Sequence, residues 1–337
     1  MFFSRFCLFS LLLSLCAPAL QASGGRPARP APPTDTGTGT HIPVRTFART
    51  HGFQRIQETD KQLILSGQIH RLTVEKGGRR VYLNGVTLWL NQPVIVVNGH
   101  WSFSAVDVEN TLAPIIQPGP GLRGRGARII VIDPGHGGRD SGAVSATAIQ
   151  EKAVALDIAN RMRRQLVAQG HTVYLTRHAD QYLDLEERAR RAKTWNADVF
   201  VSVHANSSTN TDATGIETFI LSIPGETSTN HTNATPSQLT HEGNRHNAAN
   251  MLLGYELQKT MLAATNAEDR GVRRARFTVL RDAPAPAALV EVGFLSNPAE
   301  AARLGTAAHR ERLARALSLG IENYFTEVRR AELLASP

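Results

Sequence analysis

A strand that runs straight into a glycine-rich turn constrains this chain more than any other feature. In RIIVIDPGHGGRDSG, residues 128–142, the run IIVI is apolar and β-branched, the composition of a strand covered on both faces as in a parallel sheet. Pro134 ends the run. Gly135, Gly137 and Gly138 carry no Cβ, so the backbone can turn at the strand's carboxyl end and raise the imidazole of His136 over the sheet edge, where α/β folds keep their sites. Taken alone, a glycine-flanked histidine is more often a solvated loop residue than a ligand, so its role has to be decided by partners elsewhere.

The residues that follow alternate between two periods. Residues 151–169 put Ala155, Ala159, Met162 and Leu166 on one helical face and stop at Gly170, a C-terminal cap. A strand is expected at 172–176, and Asp184 with Glu187 has the spacing of a capping box that opens a helix through about residue 194. Residues 198–203 form a second buried-type strand, ending in His204, Ala205 and Asn206. Further strands are expected at 216–221, 277–280 and 287–292, with helices at 244–265 and 306–329. Strands and helices in this alternation predict an α/β domain over residues 128–328, a mostly parallel sheet with helices on both faces.

Before this domain the chain changes character three times. Residues 1–22 have a basic start at Arg5, a short apolar stretch, then Pro18 with the small residues Ala19 and Ala22, the pattern of a cleaved secretory signal. The stretch is short for a membrane span, and Leu15 before Cys16 disfavours a lipoprotein. Cys7 and Cys16 are the chain's 2 cysteines, so a mature protein would hold no disulfide. Residues 23–43, rich in Pro, Gly and Thr, read as a flexible linker, and residues 119–127 as a Gly- and Arg-rich hinge. Between them, residues 44–118 predict a small β-rich domain, with a short helix near 44–51 and turn signals at Gly77-Gly78, Asn84-Gly85 and Asn98-Gly99.

The chemistry is concentrated at strand ends. His136 and His204 each follow a buried strand, and Glu291 stands inside LVEVGFL, where a carboxylate is costly without a partner. Glu151 opens the helix after the His136 loop, either complementing the helix dipole or pointing back over the sheet edge. Two histidines and a carboxylate are a known zinc set that leaves one tetrahedral position for water, and a second carboxylate would then move the proton. The net charge of +8 brings nucleic acid into consideration, but no aromatic-interleaved basic motif supports it. Attraction to an anionic envelope is the preferred account of that charge.

These residues also carry a resemblance. DPGHGGRDSGA at 133–143, Glu151-Lys152, Thr176-Arg177, SVHAN at 202–206, GIETF at 215–219, Arg270-Gly271, VLR at 279–281 and EVGFLSN at 291–297 are similar to the zinc-dependent N-acetylmuramoyl-L-alanine amidases of the amidase-3 family, in the family's order. The resemblance implies that His136, Glu151 and His204 bind Zn2+, that Glu291 is the catalytic carboxylate, and that the bond cut in peptidoglycan joins N-acetylmuramic acid to the L-alanine of the stem peptide. It implies an exported protein of the periplasm or cell envelope. Asp133 and Asp140 flank the His136 loop and are candidates to orient ligands, and Asn206 and Arg281 are candidates to hold substrate. Residues 81–104 resemble the copper-amine-oxidase N-terminal-like module that accompanies some exported hydrolases, although His51, His70 and His100 lack metal-ligand spacing.

Two departures from the resembled pattern stand out. Residues 222–247 are a long insertion; in some periplasmic members a segment here folds over the zinc and places a Glu on it until a protein activator withdraws it. Glu226, Glu242, His231 and His241 are the residues here that would imitate it, but the Thr, Asn, Ser and Gly content favours a flexible loop. Lys193 stands where Asn is more usual, with little consequence expected. The rival readings are a zinc peptidase of the stem peptide, which differs only in the bond cut, and a non-catalytic wall-binding protein, whose signature would be a lost ligand or a lost Glu291.

Overall fold

The computed structural model describes residues 40–119, 128–229 and 235–335. The expected leader, nearly all of the expected linker and hinge, and His231 lie outside these residues. The N-terminal part contains β1 (His41–Pro43), α1 (Val44–Thr50), β2 (Phe53–Glu58), β3 (Gln62–Gly67), β4 (Arg71–Glu75), β5 (Arg80–Leu83), β6 (Val86–Trp89), β7 (Ile95–Val97), β8 (His100–Ser104), α2 (Ala105–Asp107), a π turn at Val108–Leu112 and α3 (Ala113–Ile116). The larger part contains β9 (Ile129–Pro134), α4 (Glu151–Ala168), β10 (Thr172–Leu175), α5 (Leu185–Thr194), β11 (Val199–Asn206), β12 (Ile216–Leu221), a 3-10 turn at Glu242–His246, α6 (Asn247–Thr265), β13 (Asp269–Ala275), α7 (Thr278–Arg281), β14 (Ala287–Phe294), α8 (Pro298–Leu304) and α9 (Ala307–Ala335).

One sheet of 11 strands carries both parts, in the order β10-β9-β11-β14-β12-β13-β6-β5-β4-β3-β2. From β10 to β13 every pairing is parallel except β12 with β14, as the buried apolar runs require. The N-terminal meander β2–β6 is antiparallel and joins through a parallel contact of Leu88 with Val272. Helices cover both faces. Apolar residues of α4, α6 and α9 join one core with Ile130, Ile132, Val201, Val203 and Val290, and α5 and α7 close a smaller one around Val131, Phe200, Phe219 and Leu289. The stripe Ala155, Ala159, Met162 and Leu166 is buried on α4.

Two local expectations fail. Residues 277–280 are no strand: Phe277 is extended, but Thr278–Arg281 close a helical turn. The strand lies earlier, in DRGVRRA, whose arginines hide it from hydropathy. Arg274 is fully buried, donating to the carbonyls of Leu221 (3.0 Å) and Asn110 (2.7 Å), so tertiary acceptors substitute for an apolar side chain. At α5 Asp184 occupies the N-cap without a side-chain hydrogen bond, and Glu187 pairs with Arg190 and Arg191 instead, so no capping box forms.

Candidate active site

The site is assembled at the carboxyl ends of β9, β11 and β14, with α4 entering from the side. After Pro134 the chain makes three successive positive φ angles, 57° at His136, 128° at Gly137 and 58° at Gly138. For a histidine the left-handed region costs on the order of 1 kcal/mol, and the loop is held there from outside. Buried Arg177 donates to the carbonyls of Pro134, Gly135, Ala179 and Lys152, and buried Arg188 to those of Pro134, His136 and Leu183. Gly135 has a second reason to lack a side chain, because a Cβ there would stand 2.3 Å from the His204 ring. His204 thereby lies against the loop, its ring 4.9 Å from that of His136.

Glu151, the first residue of α4, is buried and joins the two histidines. Its Oε1 is 3.0 Å from His136 Nε2 and 2.8 Å from His204 Nδ1, and it accepts from the Ala205 amide at 3.1 Å. Oε2 accepts from the Ala143 amide at 2.8 Å. Burial raises this carboxyl's pKa, but the two imidazoles outweigh burial and hold it far below the ordinary carboxylate range. His136 in turn is raised, because Glu151 and Asp140 together outweigh its desolvation. One donor atom from each of His136, Glu151 and His204 falls within 4.8 Å of the others. Ligands of a tetrahedral zinc stand about 3.4 Å apart at the usual bond lengths, so this anionic N,N,O set fits a divalent cation with little movement.

The remaining sequence-derived candidates separate. Asp140 Oδ2 is 2.8 Å from His136 Nδ1, on the ring nitrogen that faces away from the cluster. Asp133 is fully buried and bonds neither histidine: it accepts from Thr176 (2.5 Å), Ser202 (2.7 Å) and Arg188 (2.9 Å). Asn206 donates to Glu217 at 2.6 Å. Arg281 reaches Thr278 of its own turn, and no described contact joins it to the other candidates.

Glu291 is the register partner of His204 on one side and of Glu217 on the other, so the three lie in one row on one face of the sheet. It is the single residue of β14 that is not buried outright, yet its Oε2 is shielded and lacks a hydrogen-bond partner among the described residues. Burial first, then the charges of Glu151 and Glu217, pushes its pKa well above the carboxylate range. A carboxyl so placed favours its protonated form more than an exposed one does.

A sequence profile of the N-acetylmuramoyl-L-alanine amidase family (Amidase_3) matches residues 130–323. The chain belongs to this family. Among its relatives is the amidase AmiC of Neisseria meningitidis, 37% identical over 241 residues, an overlap of 64% of this chain and 57% of that one. The chain therefore aligns with less than two thirds of that relative. The solved amidase AmiC2 of Nostoc punctiforme is 33% identical with a TM-score of 0.51 and covers 60% of this chain and 99% of its own. The CwlD amidase of Clostridioides difficile, solved in complex with the GerS lipoprotein, is 25% identical with a TM-score of 0.50, over 59% of this chain and 98% of that one. The amidase match begins at β9 and ends in α9, so it contains the whole cluster and none of β1–β8.

Sequence reading gave no role to several residues of this site, although Glu217, Arg177 and Arg270 stand in stretches that carry the resemblance. Glu217 carries the signal used for Glu291, a lone carboxylate in an apolar strand, IETFIL. Arg177, Arg188, Arg270 and Arg273 look like surface charges, since their acceptors are carbonyls and carboxylates distant in sequence. The insertion holds no described helix apart from the turn at Glu242–His246 that leads into α6. Glu226 accepts from Gln92 of the N-terminal part at 3.0 Å and Glu242 pairs with Lys193 at 3.1 Å, so neither reaches the His136 cluster.

Proposed function

We propose that this chain is a zinc-dependent peptidoglycan amidase that hydrolyses the bond between N-acetylmuramic acid and the L-alanine of the stem peptide. Family membership supports the substrate. The observation that carries the chemistry is a converging His136, Glu151 and His204 beside a shielded, partnerless Glu291. Zinc held by that triad would supply Lewis acidity toward a carbonyl and lower the pKa of water. Glu291 takes the proton from the attacking water and returns it to the departing alanine nitrogen, a task suited to a carboxyl whose pKa is raised. Asp140 orients the His136 ring and favours the tautomer that leaves Nε2 free as a ligand. Asp133, through Arg188, fixes the loop that carries His136; Asn206 steadies Glu217, and Arg281 is kept as a candidate for substrate polar groups.

Residues 44–118, which resemble the amine-oxidase N-terminal-like module, act as an accessory region of the catalytic domain at 128–328. We further propose export, with residues 1–22 as the leader and the periplasm or cell envelope as destination. A basic protein suits an anionic wall, and no helix among the described residues is long and apolar enough to cross a membrane. The complex of the CwlD amidase with a lipoprotein supports asking whether a protein partner acts on this chain.

The test is mass spectrometry of the products released from purified peptidoglycan. Free stem peptides with an N-terminal alanine, lost on chelation, restored by zinc and absent with Glu291→Ala, are the expected result. Cuts within the stem peptide would replace the amidase by a zinc peptidase, and no product from a zinc-loaded protein would leave a wall-binding role.

A further inference from the structure

The row that contains His204 and Glu291 continues through Glu217 toward the N-terminal strands. Glu217 Oε2 lies 3.1 Å from Arg273 Nε and 3.5 Å from Arg270 Nε, so two guanidiniums share one carboxylate and the patch keeps a positive excess. Arg270 donates to the Thr214 carbonyl and packs on Phe294. Arg273 is different. Its Nε serves Glu217 and the Arg270 carbonyl, while its terminal nitrogens donate to none of the described residues and are not among the buried polar atoms that lack a partner. The side chain keeps 16% of its surface exposed, on the face of the sheet that carries Glu291.

Trp89, from the N-terminal part, holds this guanidinium. The Arg273 carbon stands 4.6 Å from the Trp89 ring centroid, and the indole N–H donates to the Arg270 carbonyl at 2.9 Å. Two residues earlier on the same strand, the Thr87 amide donates to Asp269 at 2.7 Å. A planar guanidinium stacked on an indole, with its Nε steered by a carboxylate and its outer edge open, has the geometry of a carboxylate-binding fork.

We propose that Arg273, stacked on Trp89 and steered by Glu217, is a subsite for a carboxylate on the peptide arm of the substrate. The inference rests on the amidase reading, under which the lactyl carboxyl is consumed in the scissile amide and the anionic groups lie on the peptide side. β13 is two strands from β14, roughly 10 Å at the usual strand spacing. An extended peptide advances about 3.4 Å per residue. The fork therefore meets a carboxylate on the second or third residue of the arm, and the N-terminal β region takes part in substrate selection through Trp89.

The experiment compares two muramyl peptides that differ only in whether the carboxylates of the second and third residues are free or amidated. The wild-type protein should show a KM about tenfold lower for the acidic arm, the effect of one charge-assisted pair. Arg273→Gln should bring the ratio of the two KM values close to one, Arg273→Lys should keep part of it, and Trp89→Leu should reduce it. Because the ratio is taken within one protein, partial loss of folded enzyme does not alter it. Binding of the free arm without turnover, followed by tryptophan fluorescence, should show the same preference. Equal KM values in the wild type, or a preference that survives Arg273→Gln, would overturn the subsite. A wild-type protein that binds the acidic arm selectively but cuts neither substrate at the muramyl amide would leave the subsite standing and overturn the amidase reading.

Discussion

Asp133 on β9 and Glu291 on β14 flank β11 on its two sides and point to the same face of the sheet, and both interrupt apolar strands with a carboxylate. Their surroundings are opposite. Asp133 has a guanidinium and two hydroxyls, and Arg188, Thr176 and Ser202 together outweigh its complete burial and lower its pKa. Glu291 has no donor among the described residues and stands between the charges of Glu151 and Glu217, so nothing offsets burial and its pKa rises. A buried carboxylate with both oxygens hydrogen-bonded holds structure together; one left without a donor is held ready for a proton. The difference lies wholly in which strands and helices stand nearby.

Removing the metal should have the largest effect, since it acts on the Glu291 side alone: chelation should abolish release of stem peptides, zinc should restore it, and the thermal unfolding of a protein with Asp133 intact should stay cooperative. Glu291→Gln should lower turnover by about 10²- to 10⁴-fold, read in the same assay, while the melting temperature holds or rises because a shielded carboxyl without a hydrogen-bond partner among the described residues is gone. An equal loss of stability would show that Glu291 is structural after all.

Asp133→Asn should do the reverse and cost on the order of 3 kcal/mol, because Arg188 is left as a buried charge without its counterpart. The urea midpoint measures it. Asp140→Ala should weaken zinc binding by about 10- to 100-fold in a competition titration with little change in melting temperature.

The smallest effects are in the pH dependence, and the two carboxylates give opposite signs. Asp133 is lowered in the folded state, so its contribution is present above the unfolded value of about 3.9 and is lost as pH falls through the folded one. Glu291 is raised, so the stability tied to its neutral form is present below the ordinary value of 4.5 and is lost as pH rises through its folded value. Urea midpoints of the metal-free protein between about pH 3 and pH 8 should therefore flatten at the acid end in Asp133→Asn and above the ordinary carboxylate range in Glu291→Gln.

Much of the catalytic half was legible because its signals are local. IIVI with Pro134 and three glycines specifies a buried strand and a tight turn whatever surrounds them, and the apolar run of β14 with one misplaced Glu singles out Glu291. The charged strand β13 was not legible, because Arg274 and Arg273 are matched to acceptors on other segments, at Leu221, Asn110 and Glu217. The short helix α7 was misread for the complementary reason: FTVL has strand composition, but only one helical turn is closed there, between β13 and β14.

The sequence by itself determined a mostly parallel α/β sheet and the residue types of the His, His and Glu cluster with its neighbouring carboxylate, because strand periodicity, glycine turns and a costly buried Glu are properties of short stretches. Tertiary structure alone decided which carboxylate is tied down and which is free, and that the N-terminal meander joins the same sheet and lays Trp89 on Arg273. Those outcomes depend on register and on charge partners far apart in the chain, and neither leaves a periodic trace in the sequence.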